Sequence, residues 1–272
     1  MRIYATIVYL FLYIPIGVIA LFSFNAGRHA SQLQGLSVKW YGKALDNPFV
    51  MDALQTSLVV ALISATCASV FGAMAAVALQ GIKGPVRTAF DGLIYIAVMI
   101  PGIVIGIATL IGLVTLFDQL NPMIAAIWPD GFKPPKLHMG IGSLVAAHTM
   151  FLMALCIIIV RARLSGMDRS LTEASSDLYA TPMATFRQVT LPLIFPAILA
   201  GFLLSFTFSF DDFIIAFFVA GSETTLPIYV FSSIRRGVTP EINAIGTMVM
   251  CVSLVLLITA QILLRRGDKQ AR

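Results

Sequence analysis

Residues 194–219 read IFPAILAGFLLSFTFSFDDFIIAFFV, an apolar run whose charged side chains are Asp211 and Asp212. A helix needs roughly 20 mostly apolar residues to cross the hydrocarbon core of a membrane, and this run is long enough. Pro196 and Gly201 lie inside it, and membrane helices tolerate such residues where neighbouring helices complete the backbone hydrogen bonds. The run therefore predicts a transmembrane helix.

Five further runs of the same kind are spread evenly along the chain. They are residues 3–24, 57–79, 90–116, 141–160 and 244–264. The composition agrees, since 58% of the 272 residues are hydrophobic and 11% are charged, whereas an average soluble domain is about 25% charged. We predict an all-α polytopic membrane protein with about six transmembrane helices, which form a single transmembrane domain over residues 1–272.

The basic residues of the loops predict the orientation of the chain. Lys and Arg are more numerous in the loops on the side that holds both termini, and such an excess marks the cytoplasmic side. We therefore expect both termini in the cytoplasm and three external loops near residues 25–56, 117–140 and 220–243. The first run is too long for the apolar core of a signal peptide, so we expect it to be retained.

The sequence lacks the motifs of enzymes and of metal sites. It contains no H-E-x-x-H and no phosphate-binding G-x-x-x-x-G-K-[ST]. The three cysteines lie within apolar runs and suit small buried side chains; they are Cys67, Cys156 and Cys251. The three histidines are far apart along the chain; they are His29, His138 and His148. We expect no catalytic residue, no metal site and no cofactor bound by this chain.

One inner loop, residues 161–193, is polar but patterned. Its apolar residues recur at helical spacing; they are Leu164, Met167, Leu171, Ala174 and Leu178. This pattern predicts an amphipathic helix that breaks at Tyr179–Ala180. A second short helix is predicted from Pro182 to about Thr190, because Thr181 is a favourable N-cap and proline suits the first helical position. The first helix is open to two interpretations, a helix lying on the lipid surface or a docking element for a cytoplasmic partner.

The same loop resembles a known motif. Residues 173–179, EASSDLY, followed by Val189-Thr190-Leu191-Pro192, are similar to the EAA loop of ABC importer permeases, whose pattern is E-A-A, three residues, Gly, nine residues, then I-x-L-P. The resemblance implies a coupling helix that sits in a groove of an ATPase subunit. The residues placed at that contact are Glu173, Ala174, Asp177, Leu178, Tyr179, Ala180, Thr181 and Pro182.

Tyr179 departs from this pattern, because it stands where the family has glycine. A positive φ would cost a tyrosine roughly 1–2 kcal/mol. This leaves open a different turn geometry, in which Ala180 or Thr181 absorbs the change.

Other segments resemble the polyamine branch of these permeases, in particular the second permease of spermidine and putrescine importers. They are Trp40-Tyr41, residues 209–213 (SFDDF), residues 225–227 (TLP) and residues 240–244 (PEINA). The resemblance implies a bacterial inner-membrane subunit that translocates a cationic amine delivered by a solute-binding protein. It also implies a second permease subunit, as a heterodimer, and two ATPase subunits that carry ATP and Mg. Gly102 departs from this branch, since many of its members carry an acid there, and one negative group fewer suits a substrate with fewer amines.

Ionisable residues inside membrane helices are functional candidates because they are costly to insert. Adjacent helical residues point about 100° apart, so Asp211 and Asp212 cannot share one face. Asp212 shares a face of small and polar residues with Gly201, Ser205, Ser209 and Ala216, which suits a helix contact or a water-lined path. We therefore favour Asp212 as the residue that faces the pathway. The alternative is that one or both aspartates pair with an arginine or cap a backbone group of a partner helix.

The candidate pathway residues are Asp212, Asp211, Ser209, Ser205 and Phe210. Phe210 belongs to a phenylalanine stripe that suits packing or lipid contact, although aromatic faces also bind ammonium groups. Asp91, which follows Arg87, suits the start of a helix rather than a ligand site.

Two other classes of protein are alternatives. An ion-coupled secondary transporter often has inverted repeats, and no clear internal repeat is present. A membrane-embedded enzyme would need a polar catalytic set inside the bilayer, which the motifs above do not supply. Within the importer class, another small organic cation or an amino-acid-like substrate stays open.

Overall fold

The computed structural model describes residues 2–28, 32–129, 131–168 and 170–270. Within these residues the chain is helical, and its only β-pairing is an isolated bridge between Asn25 and Leu36. The helices of the first half are α1 (Arg2–Ser23), α2 (Lys39–Asp46), α3 (Pro48–Ala78), α4 (Pro85–Met99) and α5 (Gly102–Ile127). Those of the second half are α6 (Ile141–Ser165), α7 (Ser170–Asp177), α8 (Pro182–Thr185), a π-helical turn (Phe186–Thr190), α9 (Leu191–Asp211), α10 (Ile214–Val219), α11 (Leu226–Arg236) and α12 (Pro240–Gln270).

Six segments are long and apolar enough to cross a membrane. They are Tyr4–Ser23, Pro48–Ala78, Gly102–Ile127, Ile141–Ser165, Pro182–Asp211 and Pro240–Thr259. This confirms the all-α polytopic fold with six candidate spans that the sequence predicts.

The third span differs from the predicted run 90–116. Helix α4 ends at Met99, Ile100 is extended (φ −66°, ψ 133°), and α5 starts only at Gly102. Pro101 explains this break, since proline has no backbone N–H to donate and drives the residue before it out of the helical region. The span proper is therefore Gly102–Ile127, and α4 is a separate helix before it.

The fifth run, predicted as one helix over 194–219, is also broken. Helix α9 ends at Asp211, Asp212 is extended (φ −71°, ψ 123°), and α10 begins at Ile214. At the other end, α9 continues without interruption from α8 through the π-helical turn, where the Leu191 N–H donates to the Phe186 carbonyl. The break falls at Asp212, whose side-chain Oδ2 accepts the Ala216 N–H (2.9 Å) and so satisfies a backbone donor at the start of α10.

Loop 161–193 is partly as predicted. Thr181 is the N-cap of α8, because its hydroxyl accepts the Ala184 N–H (3.3 Å), and Pro182 is the first helical residue. The prediction of a single amphipathic helix from Leu164 to Leu178 is wrong. Leu164 is buried at the end of α6, and α7 begins at Ser170 after an Asx turn in which the Asp168 carboxylate accepts the Ser170 N–H (2.9 Å).

The chain divides into two compact units, and the first comprises residues 1–56 and 224–255. Its interior contains the fully buried Asn25, whose side-chain oxygen accepts the N–H groups of Gly27 and Gln34 and whose backbone carbonyl accepts the Trp40 indole N–H. Asn47, between α2 and α3, donates to the Glu241 carboxylate (3.0 Å) at the start of α12. Polar groups thus hold this unit together where its backbone is irregular.

The second unit comprises residues 57–223 and 256–272. Helix α6 lies against α9 and α4, and α5 lies against α10. The close approach of α3 to α6 depends on a small residue, since a Cβ on Gly72 of α3 would lie 2.6 Å from Cys156 Cβ on α6. Arg161 of α6 contacts the Asp91 carboxylate of α4, an ion pair that the sequence did not predict. Both candidate functional regions lie in this unit.

Candidate functional site

Asp212 occupies the break between α9 and α10. Its side chain is 23% exposed, and its Oδ2 atom accepts the Ala216 N–H (2.9 Å). This hydrogen bond holds the carboxylate at the start of α10, so the residue both ends one helix and begins the next. A carboxylate that is partly exposed among apolar helices can attract a cation.

His148 of α6 lies beside this carboxylate. The ring is 2% exposed; its Nδ1 atom is 2.7 Å from the Ser209 hydroxyl, and its Nε2 atom is 3.4 Å from Asp212 Oδ2. A carboxylate only accepts hydrogen bonds, so the favourable tautomer has the proton on Nε2 and receives the Ser209 hydroxyl proton at Nδ1. Within the described residues Nε2 makes no hydrogen bond, so a small shift of Asp212 towards the ring would complete one.

The other predicted pathway residues are less accessible. Ser205 and Ser209 are buried and face α6, where Ser205 Oγ lies 3.1 Å from Cys156 Sγ. Phe210 is 4% exposed, and its ring stacks on Phe206 at 6.1 Å. Asp211, the last residue of α9, is exposed. The structure therefore brings Asp212, Ser209 and His148 together, and it places Ser205 and Phe210 in helix packing.

Gly102 lies close to the same break. It is the first residue of α5, and a Cβ built on it would lie 3.8 Å from Ile214 Cγ2, an ordinary contact distance. Ile214 is the first residue of α10, so a side chain at position 102 would contact the start of that helix.

The turn after α7 is closed by Tyr179. Its φ is 57°, and among the described residues it is the one non-glycine residue with positive φ. The Tyr179 N–H donates to the Ser176 carbonyl (2.9 Å) and the Ala180 N–H to the Ser175 carbonyl (3.1 Å), which is the Schellman arrangement that glycine usually ends. Tyr179 thus adopts the left-handed conformation that glycine has in this motif. The alternative in which Ala180 or Thr181 takes a different turn geometry is not what the structure has.

The residues around this turn present an apolar surface. Leu178 is 82% exposed, Tyr179 96% and Met183 69%. The Ser175 hydroxyl is 2.8 Å from the Thr185 hydroxyl and joins α7 to α8. The remaining predicted coupling residues lie on α7, in the turn or at the start of α8; they are Glu173, Ala174, Asp177, Ala180, Thr181 and Pro182. At the start of α7, the backbone N–H of Ser170 holds the pKa of Asp168 below its usual value.

Sequence reasoning missed His148. No other histidine lies near it in the sequence, and its partner Ser209 is 61 positions away. One signal was available, since an ionisable ring in the middle of an apolar run needs a partner. His29 lies outside the described residues, and the described part holds no group of three or more residues that could bind a metal ion.

Residues 68–272 match the family described as binding-protein-dependent transport system inner membrane component. The spermidine/putrescine transport system permease protein PotC of Escherichia coli (strain K12) is 35% identical, over 98% of this chain and 94% of PotC. The putrescine transport system permease protein PotI of the same strain is 37% identical, over 96% of this chain and 89% of PotI. In structure, the chain resembles a bacterial ABC transporter involved in alginate import, with a TM-score of 0.73, 16% identity and coverage of 97% of this chain and 94% of the other.

Proposed function

Because the chain belongs to the inner membrane components of binding-protein-dependent transport systems, we propose that it is the permease subunit of an ATP-driven importer of a cationic amine. The relatives named for spermidine and putrescine transport span nearly the whole chain at 35–37% identity, which supports putrescine or spermidine as the substrate. The family consists of transport permeases rather than enzymes.

The observation that carries the substrate proposal is the position of Asp212. Its carboxylate is partly exposed at a helix break, is held by a backbone N–H and lies beside a buried histidine. Broken membrane helices provide sites for charged substrates in other transporters. An ammonium group entering this region would find a fixed negative charge in apolar surroundings, where electrostatic attraction is weakly screened.

Gly102 bears on which amine is carried. Position 102 lies close to the α9–α10 break, and a glycine there contributes no second carboxylate. This favours putrescine, with two amines, over spermidine, with three. Another small organic cation or an amino-acid-like substrate is the alternative within the same class.

ATP hydrolysis is assigned to two partner subunits, which bind ATP and Mg. The exposed surface of Leu178, Tyr179 and Met183 supports the turn after α7 as their contact, since exposed apolar patches mark interaction sites. Motion of the ATPase subunits would enter at α7 and α8 and reach the membrane through α9, with which α8 is continuous.

The remaining parts of the proposal follow from the importer class. The chain acts as one membrane domain and supplies half of a pathway, which a second permease subunit completes as a heterodimer. A solute-binding protein delivers the amine to the external loops. Both termini face the cytoplasm of a bacterium, which the excess of Lys and Arg on that side supports.

The test is uptake of labelled putrescine and spermidine by cells that carry the whole complex. Loss of the Asp212 charge in Asp212→Asn should lower uptake roughly tenfold or more, the effect of losing one charged contact. Asp211→Asn changes the neighbouring residue in the same way and should have the smaller effect. Glu173→Ala should also lower uptake, through coupling to ATP.

Three outcomes would count against parts of this proposal. A larger loss with Asp211→Asn would transfer the pathway role to Asp211. Uptake that persists without ATP but stops when the ion gradient is collapsed would point to a secondary transporter. If neither amine is taken up while the binding protein still stimulates ATP hydrolysis by the complex, the importer class stands and the amine substrate is wrong.

A further inference from the structure

Helix α6 contacts the α9–α10 break on both sides. The His148 ring of α6 lies 2.7 Å from the Ser209 hydroxyl, in the last turn of α9, and 3.4 Å from the Asp212 carboxylate in the break itself. Nearer the start of α6, the buried Ser143 hydroxyl lies 2.7 Å from the Val219 carbonyl at the end of α10. Side chains of one helix thus fix the position of the break.

The two oxygens of the Asp212 carboxylate have different surroundings. Oδ2 accepts the Ala216 N–H (2.9 Å) and is the oxygen that lies beside His148 Nε2. Within the described residues Oδ1 makes no hydrogen bond, and it is not among the fully buried polar atoms that lack one. Oδ1 is therefore the oxygen that a ligand can reach, whereas the protein donors lie at Oδ2.

The Nε2 atom of His148 is buried and has no hydrogen-bond partner in the described part of the chain. Buried polar groups nearly always have a partner, so an unpaired one needs a reason. The Ser209 hydroxyl at Nδ1 favours a proton on Nε2, because the hydrogen bond at one ring nitrogen determines which nitrogen carries the proton. An ammonium group offers only donors and cannot accept that proton, whereas Asp212 Oδ2 can.

We propose that His148 is a positioning residue for the transported amine, and that it acts through Asp212. Its Nε2–H holds Oδ2, which leaves Oδ1 directed at an ammonium group in the pathway. Closing the 3.4 Å gap between Nε2 and Oδ2 to the 2.7–2.9 Å of a charged hydrogen bond takes only a small movement of the carboxylate. This role rests on the pathway position proposed above for Asp212, and it follows the rule that a binding group acts best when its neighbours fix its orientation.

The test measures uptake of labelled putrescine by the whole complex in proteoliposomes, per mole of complex and at saturating amounts of the loaded solute-binding protein. Two replacements separate the two ring nitrogens. Asparagine ends at the level of Nδ1, so His148→Asn keeps a partner for Ser209 but has no donor for Asp212. Glutamine reaches the level of Nε2, so His148→Gln keeps that donor. His148→Asn should lower the uptake rate roughly tenfold, the effect of one charged hydrogen bond, and His148→Gln should stay within about twofold of the unaltered chain.

A double-mutant cycle shows whether His148 acts through Asp212. Asp212→Asn removes the charge that the ring positions, so the addition of His148→Asn should lower the rate no further, within about twofold. Two independent roles would instead multiply the losses to roughly a hundredfold.

Ser143→Ala is the matched control for a loss of helix packing. It removes a buried hydroxyl from the same helix and its contact with α10, but no contact of Asp212. Its uptake rate per mole of folded complex should stay near that of the unaltered chain, even if its melting temperature falls. In His148→Asn, ATP hydrolysis stimulated by the binding protein should be kept while uptake falls, because the ring lies away from the coupling turn. A merely structural role would lower both.

Three results would overturn this role for His148. Uptake that is unchanged in His148→Asn would remove it, and equal losses in His148→Asn and His148→Gln would show that the donor at Nε2 is irrelevant. A multiplied loss in the double variant would give His148 a role that does not pass through Asp212. Failure of the proposed function looks different, since a normal rate in Asp212→Asn would remove the pathway position of Asp212 itself, and the role of His148 with it.

Discussion

Tyr179 ends α7 in a left-handed backbone conformation that is unfavourable for a residue with a side chain. A non-glycine residue in the left-handed region carries a cost of roughly 1–2 kcal/mol, and Tyr179 has a φ of 57°. The Schellman hydrogen bonds at Ser175 and Ser176 hold it there. The conformation directs a ring that is 96% exposed away from the chain, where a partner subunit can contact it.

Replacement of Tyr179 by glycine should stabilise the isolated chain, by up to about 1 kcal/mol, because the left-handed strain is removed. Tyr179→Ala is the matched control, since alanine loses the exposed ring but keeps the Cβ that causes the strain. Thermal unfolding in detergent measures both. Equal melting temperatures for the two variants would show that the turn is not strained.

His148 should contribute to stability as well as to the candidate site. His148→Ala leaves the Ser209 hydroxyl and the Asp212 carboxylate without the ring and should destabilise the chain by about 1–3 kcal/mol. His148→Gln keeps a side-chain donor and should cost less. The same unfolding assay compares them, and an alanine variant as stable as the unaltered chain would make the ring irrelevant to the fold.

Local chemistry at the residue scale was readable from the sequence, whereas contacts between distant residues were not. Thr181 and Pro182 could be placed at a helix start because capping depends on neighbours in sequence. The pair formed by His148 and Asp212 could not, because it depends on how α6 packs against α9. The sequence also does not predict that Asp212 accepts the N–H of Ala216 at the start of α10, because an apolar run gives no sign that its helix divides there.

Two of the apolar runs are interrupted at particular residues of their sequence. Pro101 separates α4 from α5, and Asp212 separates α9 from α10. The apolar runs correctly predicted membrane helices, because hydrophobicity decides which segments enter a membrane. They did not predict these breaks, since a run of apolar residues has the same composition whether its helix is continuous or divided.

Close packing between helices depends on particular glycines. Gly72→Ala should destabilise the chain by about 1–3 kcal/mol, because its Cβ would lie 2.6 Å from Cys156 Cβ and 3.2 Å from the Met153 carbonyl. Gly112→Ala is the control, since nothing lies within 4 Å of its added Cβ and alanine favours a helix over glycine. Melting temperatures in detergent should fall for the first and stay level or rise for the second. The reverse order would contradict the packing of α3 on α6.

At the scale of the whole molecule, composition predicted the number of spans but not their surroundings. The buried share of the apolar window ranges from 0% in Tyr4–Ser23 to 50% in Ile141–Ser165, although both segments are strongly apolar. Hydrophobicity cannot separate contact with lipid from contact with protein, because both environments favour the same side chains. The amphipathic pattern of residues 164–178 gave a wrong prediction for a similar reason. The apolar spacing runs from the end of α6 into α7, and spacing alone does not show that these are two helices.

The proposed orientation predicts which loops can be labelled from outside the cell. In a chain whose three native cysteines are replaced, Lys133→Cys should react with a membrane-impermeant maleimide on intact cells. Lys83→Cys should react only after the membrane is permeabilised, because it lies on the side with more basic loops. Labelling of both on intact cells, or of Lys83→Cys alone, would contradict cytoplasmic termini.

In the part of the chain that the structure describes, helix α1 is buried at its C-terminal end. Its side chains are exposed from Tyr4 to Ile19, whereas Ser23 is fully buried and its hydroxyl lies 2.7 Å from the Tyr41 hydroxyl. A membrane helix adjusts its tilt to the thickness of the bilayer at a cost of only fractions of a kcal/mol per ångström. A change in the tilt of α1 would therefore let its exposed length match a thinner or thicker membrane.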